Sequence, residues 1–187
     1  MGDVTMRNFR KFLIIVGLLL VAGWGLNQAL AWFKIGVAQP AIDWRAPSET
    51  KAYPDLAAHP NAWLDVNTSR QRVYVKAGRR TLYTMYCSTG TGDNATPTGT
   101  FHIQAERGKI FYNPTSGEGA RYWVSWKDHG VYLFHSVPIN KNGDYITQEA
   151  EQLGKTAASH GCVRLSVADA RWVYQHVPYG MRVVIHA

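Results

Sequence analysis

Cysteine is nearly absent from this chain of 187 residues, and the two present, Cys87 and Cys162, are too few for a disulfide scaffold. No C-x-x-C or H-x-x-x-H spacing occurs, so a closed zinc site drawn from His129, His135, His160 and Cys162 is not expected. The sequence also lacks a glycine-rich phosphate loop, which gives no reason to expect a nucleotide cofactor. Its cations are scattered without a Lys/Arg tract, so a nucleic-acid partner is not expected either. Internal repeats, low-complexity stretches and heptads are missing, which argues against solenoids and coiled coils.

One long hydrophobic run is present. Arg7, Arg10 and Lys11 precede an uncharged stretch from Phe12 to Phe33. At about 1.5 Å per residue such a helix is long enough to span a bilayer, and the cations before it favour a cytoplasmic N-terminus. Asn27 and Gln28 interrupt the run, and Ala29-Leu30-Ala31 has the small-x-small pattern of a signal-peptidase site. Membrane anchor and cleaved signal stay open, and both predict export to the cell wall or periplasmic space, with the membrane as a partner if the segment is retained. The net charge is +7; residues 1–33 hold Arg7, Arg10, Lys11 and Asp3, which leaves +5 beyond them. Solvated surface charge accounts for that excess.

Residues 34–60 contain Pro40, Pro47, Pro54 and Pro60 with little periodicity, and read as a linker. A single domain is expected over 61–187. Short β-type runs recur there: Ala62 to Val66, Gln71 to Lys76, Thr81 to Ser88, Gly99 to Gln104, Tyr122 to Trp126, Val131 to His135 and Arg182 to His186. Gly78, Gly90-Thr91-Gly92-Asp93-Asn94, Gly117-Glu118-Gly119 and Asn142-Gly143-Asp144 mark turns. The pattern predicts a mainly β sandwich or barrel with two short helices, around Gln148 to Leu153 and from Val167 to His176. Ser166 is placed to cap the second helix, Asp169 to complement its dipole, and Pro178 with Gly180 to end it.

Chemistry concentrates in Ser159-His160-Gly161-Cys162-Val163-Arg164-Leu165. A thiolate is a strong nucleophile toward carbonyls, and a nearby imidazole is the usual means of forming one near neutral pH. Gly161 permits a sharp turn and close approach of a carbonyl, and backbone N–H groups around Gly161 and Cys162 are candidate oxyanion donors. Two imidazoles compete as base. His160 projects to the same side as Cys162 if the chain is extended, but neighbours on one strand rarely converge on a shared proton. His135, arriving on another element, meets the sulfur more readily. Residue types alone leave a structural role for Cys162 open. Cys87 lies in a strand-like run and reads as a small buried hydrophobe.

The heptapeptide, with His135-Ser136 upstream, closely resembles the signature of the L,D-transpeptidase (YkuD-like) catalytic domain. The resemblance extends to Trp63-Leu64-Asp65-Val66, Gln71 to Val75, Ser88-Thr89-Gly90, Thr96-Pro97-Thr98-Gly99-Thr100-Phe101, Gly130 to His135, Leu153-Gly154 and Tyr179 to Ile185, and thus to residues 61–187. It implies an L,D-transpeptidase-like β-sandwich behind the N-terminal hydrophobic helix, and a cysteine-dependent acyltransferase that crosslinks peptidoglycan and needs no cofactor. The Cys162 thiolate would attack the L,D peptide bond of a tetrapeptide stem, release D-alanine and pass the acyl group to an amine. His135 would be the base, with the Ser136 carbonyl orienting it, and Ser159, His160 and Gly161 would line the acyl site. Arg164 would order the loop, meet a substrate carboxylate or form a surface salt bridge, and a carbapenem adduct on Cys162 is expected. Tyr112, Tyr122 and Trp123 are candidates for the donor groove or for core packing.

Between His135 and Ser159 lie 23 residues, and Ile139 through Glu151, within the long 137–158 segment, is a candidate part of a lid. The alternatives are an L,D-carboxypeptidase, in which water takes the same thioester, and a non-catalytic tethered wall-binding module. A papain-like peptidase fits poorly because it places its Cys before its His in the chain.

Overall fold

Apolar residues at every second position make strands that bury one face, and the turns between them set which strands become neighbours. The computed structural model describes residues 41–187, so the 1–33 segment lies outside the described residues. β1 (Ala62–Asn67), β2 (Arg72–Ala77) and β3 (Arg80–Ser88) form an antiparallel meander. It places Leu64, Val66, Val73, Val75, Tyr83, Met85 and Cys87 in the core with no exposed surface. Each such aliphatic side chain contributes about 1.5–3 kcal/mol by burial. β4 (Gly99–His102) pairs with β9 (Arg182–His186), which lies parallel to β1.

The second half contains β5 (Arg107–Asn113), β6 (Glu118–Lys127) and β7 (Tyr132–Ser136), with the three-residue β8 (Val163–Leu165) inserted between β7 and β3. The result is one curled sheet of nine strands in the order β4-β9-β1-β2-β3-β8-β7-β6-β5, a mainly β architecture as expected, continuous rather than split. The length of β3 explains the continuity. Its early residues pair with β2, while Cys87 and Ser88 pair with Leu165 and Arg164 of β8. The curl brings the chain after β4 back to β6, where the Gln104 N–H donates to the Ser125 carbonyl at 2.8 Å and Phe101 meets Trp126 edge-on at 4.9 Å.

Of the two helices, α1 (Thr147–Ala150) is shorter than the expected patch, and α2 (Val167–His176) has the expected bounds. The Asp169 N–H donates to Ser166 Oγ at 3.1 Å, as a cap should. Ala170, Trp172 and Val173 bury the inner face of α2. Two strands escaped the sequence reading. β5 leaves Ile110 and Tyr112 exposed, so its alternation does not mark a core, and β8 is too short to show a period.

The linker reading of 34–60 is corrected from Ile42 onward, because this stretch packs into the domain. Trp44 is 5% exposed and lies with Val137, Ala150 and Leu153 in a second small core. The strap then runs along the part of β3 that β8 does not reach. There Ser48 Oγ accepts from the Tyr86 N–H at 2.9 Å and a Glu49 carboxylate oxygen from the Thr84 N–H at 2.8 Å. Side chains thus satisfy an otherwise bare strand edge. Tyr53 stacks against Tyr83 and Trp172, and its hydroxyl donates to Asp169 at 2.7 Å. Asp169, expected to serve the helix dipole, is fully buried and anchors the strap.

The 137–158 segment is also packed. Val137, Ile139, Ala150 and Leu153 are each 1% exposed, and Ile139 pairs its backbone with Gly119. The Gly154 N–H donates to the Cys87 carbonyl at 2.8 Å.

A hydrogen bond to a buried carboxylate is worth about 1.5–3 kcal/mol. Tyr53→Phe is expected to lower stability by about 2 kcal/mol in equilibrium urea unfolding, whereas a free linker would give no change.

Candidate active site

The parallel register of β7 with β8 pairs Phe134 with Val163, His135 with Arg164 and Ser136 with Leu165. Continuing it by one residue sets Leu133 beside Cys162. Alternation then turns Leu133, His135, Cys162 and Arg164 to one face. All four line a cleft of about 430 Å³. Ser159 and His160 line it as well, so this cleft collects His135 and the heptapeptide side chains that carry chemistry.

His135 is buried, and its Nδ1–H donates to the Ser136 carbonyl at 2.6 Å. A carbonyl can only accept, so the proton is fixed on Nδ1 and Nε2 keeps its lone pair in the neutral ring. Burial pushes the ring pKa down to about 4, against the bond to Ser136, and the Arg164 charge acts in the same direction as burial. The Ser136 hydroxyl has a different task. It accepts from the Arg121 N–H at 2.9 Å and donates to the Val137 carbonyl at 2.8 Å, which secures the end of β7.

Cys162 is half-buried, and its thiol lies 3.5 Å from the Val131 carbonyl. Burial pushes the thiol up to about 11, opposed by the Leu133 backbone N–H and by Arg164. Both shifts favour the uncharged forms, thiol and neutral imidazole, at neutral pH. Cys87 is buried and its thiol is raised further by burial, and both cysteines are free.

The loop before Cys162 is held internally. Ser159 Oγ donates to the Cys162 carbonyl at 2.6 Å and accepts from the Gly161 N–H at 3.1 Å. That bond occupies one expected oxyanion donor and leaves the Cys162 N–H as the candidate. Thr96 Oγ1 accepts from the Gly90 N–H at 2.8 Å and donates to the Gly161 carbonyl at 2.9 Å, so it clamps two loops. Gly161 has φ of +113°, and a Cβ there would lie 3.0 Å from the Tyr132 ring. The φ strains any other residue, and the Tyr132 ring would have to give for a Cβ.

Arg164 differs from each surface role considered for it. Its side chain is 2% exposed and bonds the Glu118 carboxylate at 2.9 Å and the Glu149 carboxylate at 2.5 Å. His160 is exposed, with Nδ1 3.8 Å from Glu118. The lid reading of 137–158 is corrected too, since none of its residues line the cleft. The wall over the site is the β5–β6 hairpin, through Phe111, Glu118 and Trp123. Phe111 meets the His135 ring edge-on at 5.8 Å. Tyr122 instead packs beside Tyr174, and Tyr112 stands 40% exposed on the hairpin.

Sequence reading missed Phe111, Glu118, Val131, Leu133 and Thr96. Glu118 sits between Gly117 and Gly119 and reads as a turn residue, with nothing local to show its partner 46 positions away. Among the described residues, no group of three His, Cys, Asp or Glu side chains is placed to hold a metal ion, and no helix is long and apolar enough to cross a membrane.

Residues 61–185 match the YkuD family, the L,D-transpeptidase catalytic domain. The chain belongs to the L,D-transpeptidase family. The Bacillus subtilis (strain 168) protein YciB, whose name assigns it provisionally to the L,D-transpeptidases, is 50% identical over 151 residues, covering 79% of this chain and 76% of YciB. Among solved structures, an L,D-transpeptidase from Mycobacterium smegmatis superposes with a TM-score of 0.56 at 22% identity, over 68% of this chain and 59% of that one. LD transpeptidase LdtMt1, solved in complex with imipenem, gives 0.56 at 21% identity, over 67% and 59%. The chain thus spans under two thirds of these two structures, and at such identity they establish the shared fold.

For this L,D-transpeptidase domain the resting protonation states carry a kinetic signature. Only the thiolate reacts appreciably with iodoacetamide. The alkylation rate at Cys162 is expected to rise about tenfold per pH unit from pH 5 to beyond 9, read by peptide mass spectrometry. A plateau across pH 5–8 would instead reveal a preformed thiolate–imidazolium pair.

Proposed function

We propose that this domain is a peptidoglycan L,D-transpeptidase in which Cys162 is the nucleophile and His135 the general base. The observation that carries the reading is the pairing of a half-buried thiol with an imidazole whose Nδ1–H is committed to the Ser136 carbonyl, both facing one cleft. Membership in the family supplies the reaction class.

In the first half-reaction Cys162 Sγ attacks the carbonyl of the peptide bond before the terminal D-alanine of a tetrapeptide stem. His135 Nε2 takes the thiol proton as the C–S bond forms, which suits a resting neutral pair. The Cys162 N–H faces the developing oxyanion, and one such donor is worth about 3–4 kcal/mol. The imidazolium then gives its proton to the leaving amine. D-Alanine departs and a thioester remains. In the second half-reaction an acceptor amine attacks the thioester, His135 removes its proton, and the thiol is regenerated with a new amide bond.

The side chains assigned to these steps are provided by the protein itself. His160 and Ser159 line the acyl site, Ser159 also holding the loop that presents the nucleophile. Arg164 acts from beneath, where its charge favours thiolate over thiol and neutral imidazole over imidazolium. The hydrophobic stretch from Phe12 to Phe33 supports an exported domain working on the wall outside the membrane. The imipenem complex of the structural relative supports a test with carbapenems.

Full-length protein incubated with disaccharide-tetrapeptide is expected to yield dimers with loss of D-alanine, read by mass spectrometry, and Cys162→Ala to yield none. Trimmed monomers without dimers would assign an L,D-carboxypeptidase, and unaltered substrate a binding module. His135→Ala is expected to lower acylation about 10²- to 10⁴-fold, and His160→Ala far less. The reverse order would exchange their roles. Carbapenem labelling is expected at Cys162 and should vanish in Cys162→Ala.

A further inference from the structure

Arg164 holds two carboxylates that arrive from different elements. Nη2 bonds Glu118, the first residue of β6, at 2.9 Å, and Nη1 bonds Glu149 of α1 at 2.5 Å. Of the two acids only Glu118 lines the Cys162 cleft. The same Glu118 oxygen lies 3.8 Å from Nδ1 of His160, two residues before the nucleophile. A single carboxylate therefore faces the buried centre of β8 and the loop that presents the thiol.

The hairpin that carries Glu118 has few other tethers near its tip. Residues 112–117 are all exposed, as is Ile110 at 53%. Behind Glu118, Gly119 pairs its backbone with Ile139 at 2.9 and 2.8 Å, and Phe111 rests edge-on against His135. Glu118 is thus the ionic contact between the wall and the floor of the cleft. Removing it leaves Arg164 with one carboxylate instead of two and frees the wall on the side facing Cys162.

We propose that Glu118 is a positioning residue, a latch that ties the β5–β6 wall to Arg164 and His160 and sets the width of the cleft over Cys162. The width governs how firmly an acyl-donor peptide is gripped. Its effect on peptide turnover rests on the transpeptidase reading above, but its effect on access to the sulfur does not.

The test compares alkylation of Cys162 in the full-length protein by a small reagent, methyl methanethiosulfonate, and a bulky maleimide. Any change in thiol acidity moves both rates together, so their ratio isolates access. Glu118→Gln is expected to raise the bulky-to-small ratio about fivefold and the KM for stem peptide about tenfold, with kcat within about threefold of wild type. Glu149→Gln, which removes the carboxylate outside the cleft, is expected to keep the wild-type ratio. Cys87 reports on folding, since it is fully buried. If it reacts in Glu118→Gln, Glu118→Asp, which keeps the charge but shortens the reach, takes its place with the same expectation. An unchanged ratio in the folded variant overturns the latch, as does an equal rise in Glu149→Gln. If the ratio shifts while wild-type protein processes no stem peptide, the latch stands and the transpeptidase reading fails.

Discussion

Three residues, Val163-Arg164-Leu165, bear the constraint on which this structure depends. As β8 they pair antiparallel with β3 on one side and parallel with β7 on the other, with no exposed apolar surface on Val163 or Leu165. Without β8 the meander of β1 to β3 and the meander of β5 to β7 would be separate sheets with bare edges. Its insertion makes one sheet, and it sets Cys162 at the strand's entry, alongside β7. Cys162 thus adjoins a strand held by backbone hydrogen bonds to two neighbours, a firmer support than a loop alone provides.

Arg164 adds an electrostatic layer to the same strand. A guanidinium this deeply buried requires paired carboxylates, and Glu118 and Glu149 reach it from the cleft wall and from α1. Its charge also acts on both partners in the cleft. It favours the thiolate of Cys162 and disfavours the imidazolium of His135, although burial remains the larger influence on each. Strand pairing, ion pairing and the protonation of the site thus meet in one short segment.

Much of this was legible from residue patterns. Seven strands, the capped α2 and the candidacy of Cys162 and His135 follow from period, turn residues and chemistry, because each is a local property or depends on residue types of known reactivity. The misreadings share a cause. The Pro-containing stretch after Ile42 reads as a linker because its partners, Asp169, Tyr83 and Tyr86, lie far along the chain. The 137–158 segment reads as a lid because an insertion near a site suggests one, yet Ile139 and Leu153 are buried, Leu153 beside Trp44, Val137 and Ala150. The roles of Glu118 and Thr96 were not legible, since each acts only through contacts across the fold.

The sequence by itself determined the chemistry available here: one cysteine in a Ser-His-Gly-Cys setting, a histidine upstream followed by Ser136, and a chain whose alternation commits it to strands. Tertiary structure decided that His135 and Cys162 line one cleft, that the His135 Nδ1–H is held by Ser136, and that Arg164 is enclosed by two acids. The division has a physical reason. Period and reactivity are written in neighbouring residues, whereas register, burial and charge pairing arise only when distant segments exclude water together.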